Sequence, residues 1–402
     1  MFADLGMTPI ANALIDPDAS AVREQVYPLQ AFVCERCWLV QLGHSPPPSV
    51  HFNDAYPYFS AVSESWLGHA KGFAQYAIDR LKLGPQAHVV EIGSNDGYLL
   101  QYFVQAGIPC LGIDPAANCA KAAWEERRVK TDVAFFGAAT AIRLLDQGHG
   151  ADLIVANNVL AHVPEINDFV AGVGILLKSS GTAMFEFPHL LELIRNVEFD
   201  TIYHEHYSYL SLLALIPLFA RHGLAITDVE RLVTHGGSLR IHVRKVALGV
   251  RPSRAVEECQ GEEIAAGLDH VEAYRGFDDR VKALKRELVA LLKAVKKDGK
   301  RIAGYGAPAK GNTLLNTCGI GQQILDFTVD RNRRKQGMLL PGSRIPILAP
   351  EAIFERRPDY ILILPWNLEQ EITNALAGIR EWGGHFIVPI PVPTIRDAGR
   401  ER

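Results

Sequence analysis

Cysteine is scarce in this chain, six among 402 residues, and only Cys34 and Cys37 are closely spaced. That excludes a disulfide framework, and Cys110, Cys119, Cys259 and Cys318 read as buried or neutral thiols. Charge of one sign is scarce too. The 41 basic and 45 acidic side chains nearly cancel, to a formal −4 with no long run of either, which leaves no electrostatic footprint for nucleic acid or an anionic lipid surface. No run of about 18 uncharged apolar residues occurs that could span a bilayer. The start MFADLGMTPIANALIDPD has neither a basic region nor an apolar core of the kind a secretion signal needs. The expectation is a cytoplasmic protein, monomeric or a small homo-oligomer, whose partner is a small molecule.

What is present is a globular composition, 48% hydrophobic and 21% charged. At about 100–200 residues per domain the length divides into two or three. Residues 1–58 read as a small N-terminal module, with YPLQAFVCERCWLVQLGH as a hairpin before the extended SPPPSVHF. Residues 59–246 open on a helix, ESWLGHAKGFAQYAIDRLKL, that stops at Gly84-Pro85. Apolar strands then alternate with helical stretches, from HVVEIG to TAMFEF, which is the order of a parallel α/β sheet with crossover helices. Residues 247–402 begin with a charged long helix or helical pair around 258–297. Strand and helix then alternate again from RIAGYGAPAKG to HFIVPIP, a second, smaller α/β domain.

The segment VVEIGSNDGYLL is a buried strand, a turn containing Gly93 and Gly97, and a helix start. Glycine there lets backbone approach a ligand, and the helix N-terminus favours a negative group. Asp114, with Pro115, ends the next strand, where a carboxylate can accept both ribose hydroxyls of a nucleoside. Glu91 and Asn95 make the turn E-x-G-x-N-x-G, unlike the dinucleotide G-x-G-x-x-G, so S-adenosylmethionine is expected over a nicotinamide. Phe135, beside Phe136, could lie against adenine, although paired phenylalanines are more often core. Asn158 and His162 follow a strand at the crevice and are assigned to the cofactor edge.

The richest polar stretch places Tyr203, His204, Glu205, His206, Tyr207 and Tyr209 within FDTIYHEHYSYLS. Histidine is the base nearest neutrality, and an adjacent carboxylate can steady its charged form. Metal ligation is the weaker reading, because the H-x-H pair lacks the helical spacing that puts two imidazoles on one face. A purely structural, hydrogen-bonded knot is the bland alternative.

With these motifs the chain resembles, nearly end to end, the deoxysugar C-methyltransferases of nucleotide-sugar pathways. DLGMTPIANALI, CERCWLVQLGH, YPYFSAVSES, VVEIGSNDGYLL, NNVLAHVPE, EFPHLLELI, FDTIYHEHYSYLS, THGGSLR, GYGAPAKGNTLLN and LPWN carry the resemblance. It implies a zinc-binding N-terminal module, a central Rossmann-like class I methyltransferase domain and a C-terminal domain that helps hold the sugar nucleotide. The family's base falls on His206, its glutamate on Glu205, its tyrosines on Tyr203, Tyr56 and Tyr58, and its cofactor-side histidine on His162. By the same layout Lys310 would meet a phosphate, and Asn312 or Asn367 the sugar or base. His235, Gly236 and Gly237 would let backbone approach the substrate.

The implied reaction is methyl transfer to the carbon beside a ketone, through an enolate, with His206 removing the proton. Relatives carry one C-x-x-C before DLG and one after it, and here only Cys34 and Cys37 stand. Either zinc is lost, the favoured reading, or a histidine such as His44 or His51 completes the site. Three alternatives stay open: an NAD(P)-dependent sugar-nucleotide oxidoreductase using the GYGAPAKG turn, an O-methyltransferase of the same architecture, and a non-catalytic sugar-nucleotide binder.

Overall fold

The computed structural model describes residues 1–19, 24–52, 56–247 and 250–397, in an α/β fold with three sheets. The first is antiparallel, from β1 (Ala3–Pro9), β2 (Val26–Val33) and β3 (Val40–Leu42), and it is completed by a two-residue strand, Ser208–Tyr209, lent by the central domain. The expected hairpin is β2 and β3, paired Ala31 to Leu42 and Val33 to Val40. Its buried face does not close on itself. Phe2 stacks on Phe277 at 4.3 Å, and Phe2, Leu29, Ala31 and Val40 share one core with the C-terminal domain.

The central sheet contains β4 (Val89–Ile92), β5 (Cys110–Ile113), β6 (Thr131–Asp132), β7 (Ala151–Asn157) and β8 (Leu177–Pro188), all parallel. With β9 assigned to Ser208–Tyr209, the strands β10 (Leu224–Leu232) and β11 (Ser238–Lys245) extend it antiparallel, giving the order β10-β11-β8-β7-β4-β5-β6. Every residue of β4 is buried, as expected of a parallel strand covered by helices on both faces. Between β4 and β7 the winding reverses, and a crevice opens there at the strands' C-terminal ends.

The lead-in helix spans Glu64–Leu81. The Ser63 hydroxyl accepts from the Trp66 amide at 3.2 Å to cap it, and left-handed Lys82 ends it. The charged segment resolves into a pair of helices, Arg254–Ala265 and Phe277–Lys297. The longer one buries Val281, Leu284, Leu288, Leu292 and Val295 at helical spacing, each worth about 1.5–3 kcal/mol. The third sheet, in the order β14-β13-β12-β15-β16-β17, runs β12 (Ile302–Tyr305), β13 (Thr328–Val329), β14 (Ile347–Leu348), β15 (Tyr360–Ile363) and β16 (His385–Val388) parallel, with β17 (Thr394–Asp397) antiparallel. Among the described residues no helix is long and apolar enough to cross a membrane.

Candidate active site

The glycine turn after β4 is geometrically committed. Gly93 has φ +69, and a Cβ there would sit 2.5 Å from Val159 Cγ2, so only glycine fits. Asp114, just past β5, accepts the Asn95 amide at 2.8 Å and the Ala116 amide at 2.9 Å. Burial pushes its pKa up to about 6 against the pull of those amides, and Pro115 lies half-buried beside it. Around the crevice several buried polar atoms have no hydrogen bond: Ser94 Oγ, both side-chain atoms of Asn157, and Asn158 Oδ1. Glu91 is fully buried beside the Tyr98 hydroxyl and the Leu100 amide, and burial holds its pKa well above the usual value. Buried polar groups are normally paired. With the Asp114 carboxylate, these amide and hydroxyl groups suit the ribose hydroxyls and the amino-acid end of S-adenosylmethionine, so the residues present fit that cofactor. Gly97, left-handed at φ +77, closes the turn against Val129 and Ala123.

Two expected cofactor residues stand differently from the rest. The Asn95 side chain is used on the preceding segment, donating to Tyr58 O at 3.1 Å and accepting the Ser60 amide at 2.9 Å. Phe136 is core, edge-on to Phe169 at 5.3 Å, whereas Phe135 is half exposed in the loop after β6. Residues 56–61 form a strap across this end of the crevice. Asn118 donates to Tyr56 O, the Ala61 amide to Asp96, and Asn332 of the C-terminal domain to Pro57 O at 3.2 Å.

The second half of the site hangs on Phe199–Tyr209. His206 Nδ1 lies 2.8 Å from Thr201 O. A carbonyl can only accept, so the proton sits on Nδ1 and Nε2 keeps its lone pair, facing the Tyr203 hydroxyl at 2.7 Å. Burial first, then the His162 ring 4.6 Å away, holds the His206 pKa well below its usual value. His162 is itself lowered to about 4 by burial. Glu205 accepts from Asn12 at 2.7 Å, and burial pushes it up to about 7 against Asn12, Lys335 and the Tyr56 hydroxyl. Tyr56 is half-buried and Tyr58 is 44% exposed on the strap. His204 turns the other way, to Pro28 O at 3.3 Å and the Tyr27 ring, so the H-x-H pair diverges.

From the far side come His235, left-handed at φ +56 with Nε2 3.4 Å from Asn158 Nδ2, and the turn Gly236-Gly237. Lys310 and Asn367 also reach this side, each with a buried polar atom unbonded. Asn312 does not: its amide donates to Ala11 O and its carbonyl oxygen accepts from Asn316, tying the N-terminal module to the helix Ala309–Cys318. The sequence reading passed over Glu198, Asp200 and Trp366, although all three stand inside motifs it quoted or beside them. The sign that could have found them is a pair of carboxylates within an otherwise apolar EFDTI turn. It also passed over Trp66 and His69. His69 bonds Glu186 at 2.8 Å and stacks on Trp66, which reaches the His235 ring. Burial opposes ionisation of Glu186, yet His69 and Arg240 hold it below the usual carboxylate range.

At the GYGAPAKG turn Gly306 N donates to Val329 O and Ala307 N to Asp330, the same pattern that Gly93 N and Asn95 N make with Ile113 O and Asp114 at the first glycine turn. Cys34 and Cys37 lie half-buried at the β2–β3 turn. Burial raises the Cys37 thiol, while the Arg36 and Cys37 amides lower Cys34. Among the described residues neither belongs to a group of three ligands close enough to share an ion. His44 stacks on Tyr27, and His51 is buried near Ser45.

Comparison with known proteins gives the family. Residues 1–52 match the family described as "Putative zinc binding domain", residues 66–229 that described as "Methyltransferase domain", and residues 233–391 that described as "C-methyltransferase C-terminal domain". The chain is 40% identical over 393 residues to C-methyltransferase NovU of Streptomyces niveus, covering 98% of this chain and 93% of that one. Among solved structures, magnesium protoporphyrin IX methyltransferase of Synechocystis with bound SAH is 14% identical, with a TM-score of 0.35 over 45% of this chain and 83% of that one. YcgJ of Bacillus subtilis is also 14% identical, with a TM-score of 0.36 over 45% of this chain and all of the other.

Proposed function

Because this chain belongs to the S-adenosylmethionine-dependent C-methyltransferases, we propose that it methylates the carbon beside the ketone of a keto-deoxysugar nucleotide, with His206 as the base. The observation that carries the reading is the Thr201–His206–Tyr203 chain of hydrogen bonds at the mouth of the β4–β7 crevice. Thr201 O fixes the tautomer, and burial keeps Nε2 unprotonated near neutral pH. A ketone acidifies the neighbouring C–H, and Nε2 accepts that proton as the pair moves into the enolate. The Tyr203 hydroxyl, which occupies the Nε2 lone pair in the resting site, must turn off it before the proton is taken, and from there it can donate to the enolate oxygen, with the strap hydroxyl of Tyr58 as a second donor. The cofactor, when bound, supplies an electrophilic methyl whose bond to sulfur breaks as the new carbon–carbon bond forms. Asp114, Gly93 and the strap then act by alignment and exclusion of water.

The domain limits 1–58, 59–246 and 247–402 and a cytoplasmic location belong to the same proposal. The test is solvent deuterium exchange at the α-carbon of a 4-keto-6-deoxyhexose nucleotide, with protein present and donor absent. Exchange that disappears in His206→Ala is expected. Methyl transfer to a hydroxyl, without exchange at carbon, would overturn it.

A further inference from the structure

On the side of the crevice that bears the His235 turn, Asp200 is fully buried, Lys310 is half-buried with its Nζ shielded from solvent, and both are incompletely bonded. Trp366 Nε1 donates to Asp200 Oδ2 at 2.7 Å, which leaves Asp200 Oδ1 without a partner although the residue is fully buried. Lys310 Nζ lies 4.3 Å from the centre of the Trp366 ring and has no hydrogen bond, and buried Asn367 Oδ1 has none either. Glu198 closes the group. A Cβ on Gly236 would fall 2.5 Å from its Oε1 and 2.7 Å from Trp366, so the turn bearing His235 is pressed against both. The Lys310 ammonium feels Asp200 and Glu198 electrostatically yet bonds to neither.

Leaving a buried lysine nitrogen and a buried carboxylate oxygen unbonded is costly, and the pair selects its ligand by simple chemistry. A phosphate only accepts and would face two carboxylates, which speaks against the phosphate role expected for Lys310. An ammonium only donates and would leave the lysine orphaned. A hydroxyl accepts from Lys310 and donates to Asp200 at once, and the indole face of Trp366 suits the C–H side of a pyranose. We infer that Lys310, Asp200, Glu198 and Trp366 form a subsite that reads a ring hydroxyl of the substrate away from the reacting carbon. This rests on the sugar reading above and sharpens it to sugars that keep such a hydroxyl.

The test is calorimetry on the full chain, saturated with S-adenosylhomocysteine, using a nucleoside diphosphate 4-keto-6-deoxyglucose, its 2-deoxy analogue, and the bare nucleoside diphosphate. Wild type should prefer the hydroxylated ligand by about ten- to a hundredfold, the effect of a hydrogen bond to a charged group. Lys310→Met and Asp200→Asn should each abolish that preference while leaving affinity for the 2-deoxy analogue within about threefold. Retained heat of S-adenosylhomocysteine binding shows that each variant is folded, and Trp366→Phe, which keeps the ring and loses the bond to Asp200, is the milder variant. Equal affinity of wild type for the two sugars would overturn the subsite and leave the proposed function standing. Equal weakening of the bare nucleoside diphosphate by Lys310→Met would return the lysine to a phosphate. Absence of any sugar-nucleotide binding would sink both readings together.

Discussion

At the Asp114 end of the crevice the carboxylate has each oxygen on a backbone amide and the strap is bonded across it, whereas at the far end Lys310 Nζ and Asp200 Oδ1 are buried with nothing to bond. The turn and carboxylate of the first end come from one continuous stretch, Glu91 to Ala116, with Val159 and the strap closing on it. The second is assembled from the Phe199–Tyr209 segment, the His235 turn and the helix Ala309–Cys318, with Asn12 of the N-terminal module bonded to Glu205. Both ends keep buried polar atoms without a partner, on Ser94, Asn157 and Asn158 at the first and on Lys310 and Asp200 at the second, so the difference lies in how the ends are built: one is largely local in sequence and the other is assembled from three domains.

The largest effect should come from removing the base. His206→Ala is expected to lower methyl transfer by about a hundred- to ten-thousandfold, with the heat of donor binding unchanged in calorimetry. Loss of donor binding in the same variant would merge the two halves into one and break the comparison. Next is Asp114→Ala, which leaves the buried amides of Asn95 and Ala116 without acceptors. At about 1–3 kcal/mol for each orphaned group, denaturant unfolding should show a stability loss of about 2–6 kcal/mol, and donor affinity should fall. An unchanged donor affinity would show that the turn, not the carboxylate, holds the nucleoside.

Glu205→Gln sharpens the contrast through pH. The folded pKa of Glu205 is about 7, above the ordinary 4.5, so the fold prefers its protonated form. Its stabilising contribution is complete at low pH and is lost as pH rises through about 7. Glutamine keeps an acceptor for Asn12 and cannot ionise. The variant should therefore match wild type near pH 4 and gain stability above pH 7 by up to about 3 kcal/mol, while losing activity. Thermal unfolding across that range decides it, and equal melting curves at pH 8 would mean that the fold carries ionised Glu205 at no cost.

These halves were not equally legible. The alternation of apolar strands and helices announced the parallel sheets, and Gly93 with Asp114 announced the glycine turn and the carboxylate beside it, because both are periodic or local. Asn312 was misjudged because its partner, Ala11, is remote in sequence, and nothing in KGNTLLN reveals that contact. Asp200 and Trp366 were missed for the same reason, since their hydrogen bond joins two domains. The shared core of the N-terminal sheet and the C-terminal domain was equally invisible, since the apolar residues of β1 say that they are buried but not against what.

The strap tests how the halves communicate. Four of its hydrogen bonds go to Asn95, Asp96 and Asn118 of the cofactor domain, and one comes from Asn332. Asn332→Asp keeps the acceptor used by the Arg334 amide, loses the donated bond to Pro57 O and sets a carboxylate oxygen against that carbonyl. The expected cost is about 1–3 kcal/mol, and it should fall on coupling. Donor affinity alone should be unchanged, while the gain in donor affinity caused by a bound sugar nucleotide should shrink by up to about tenfold, and reciprocally for the sugar. Calorimetry of each ligand with and without the other measures this directly. If donor affinity alone drops by the same factor, the C-terminal domain is part of the cofactor half, and the site closes as one unit around whichever ligand comes first.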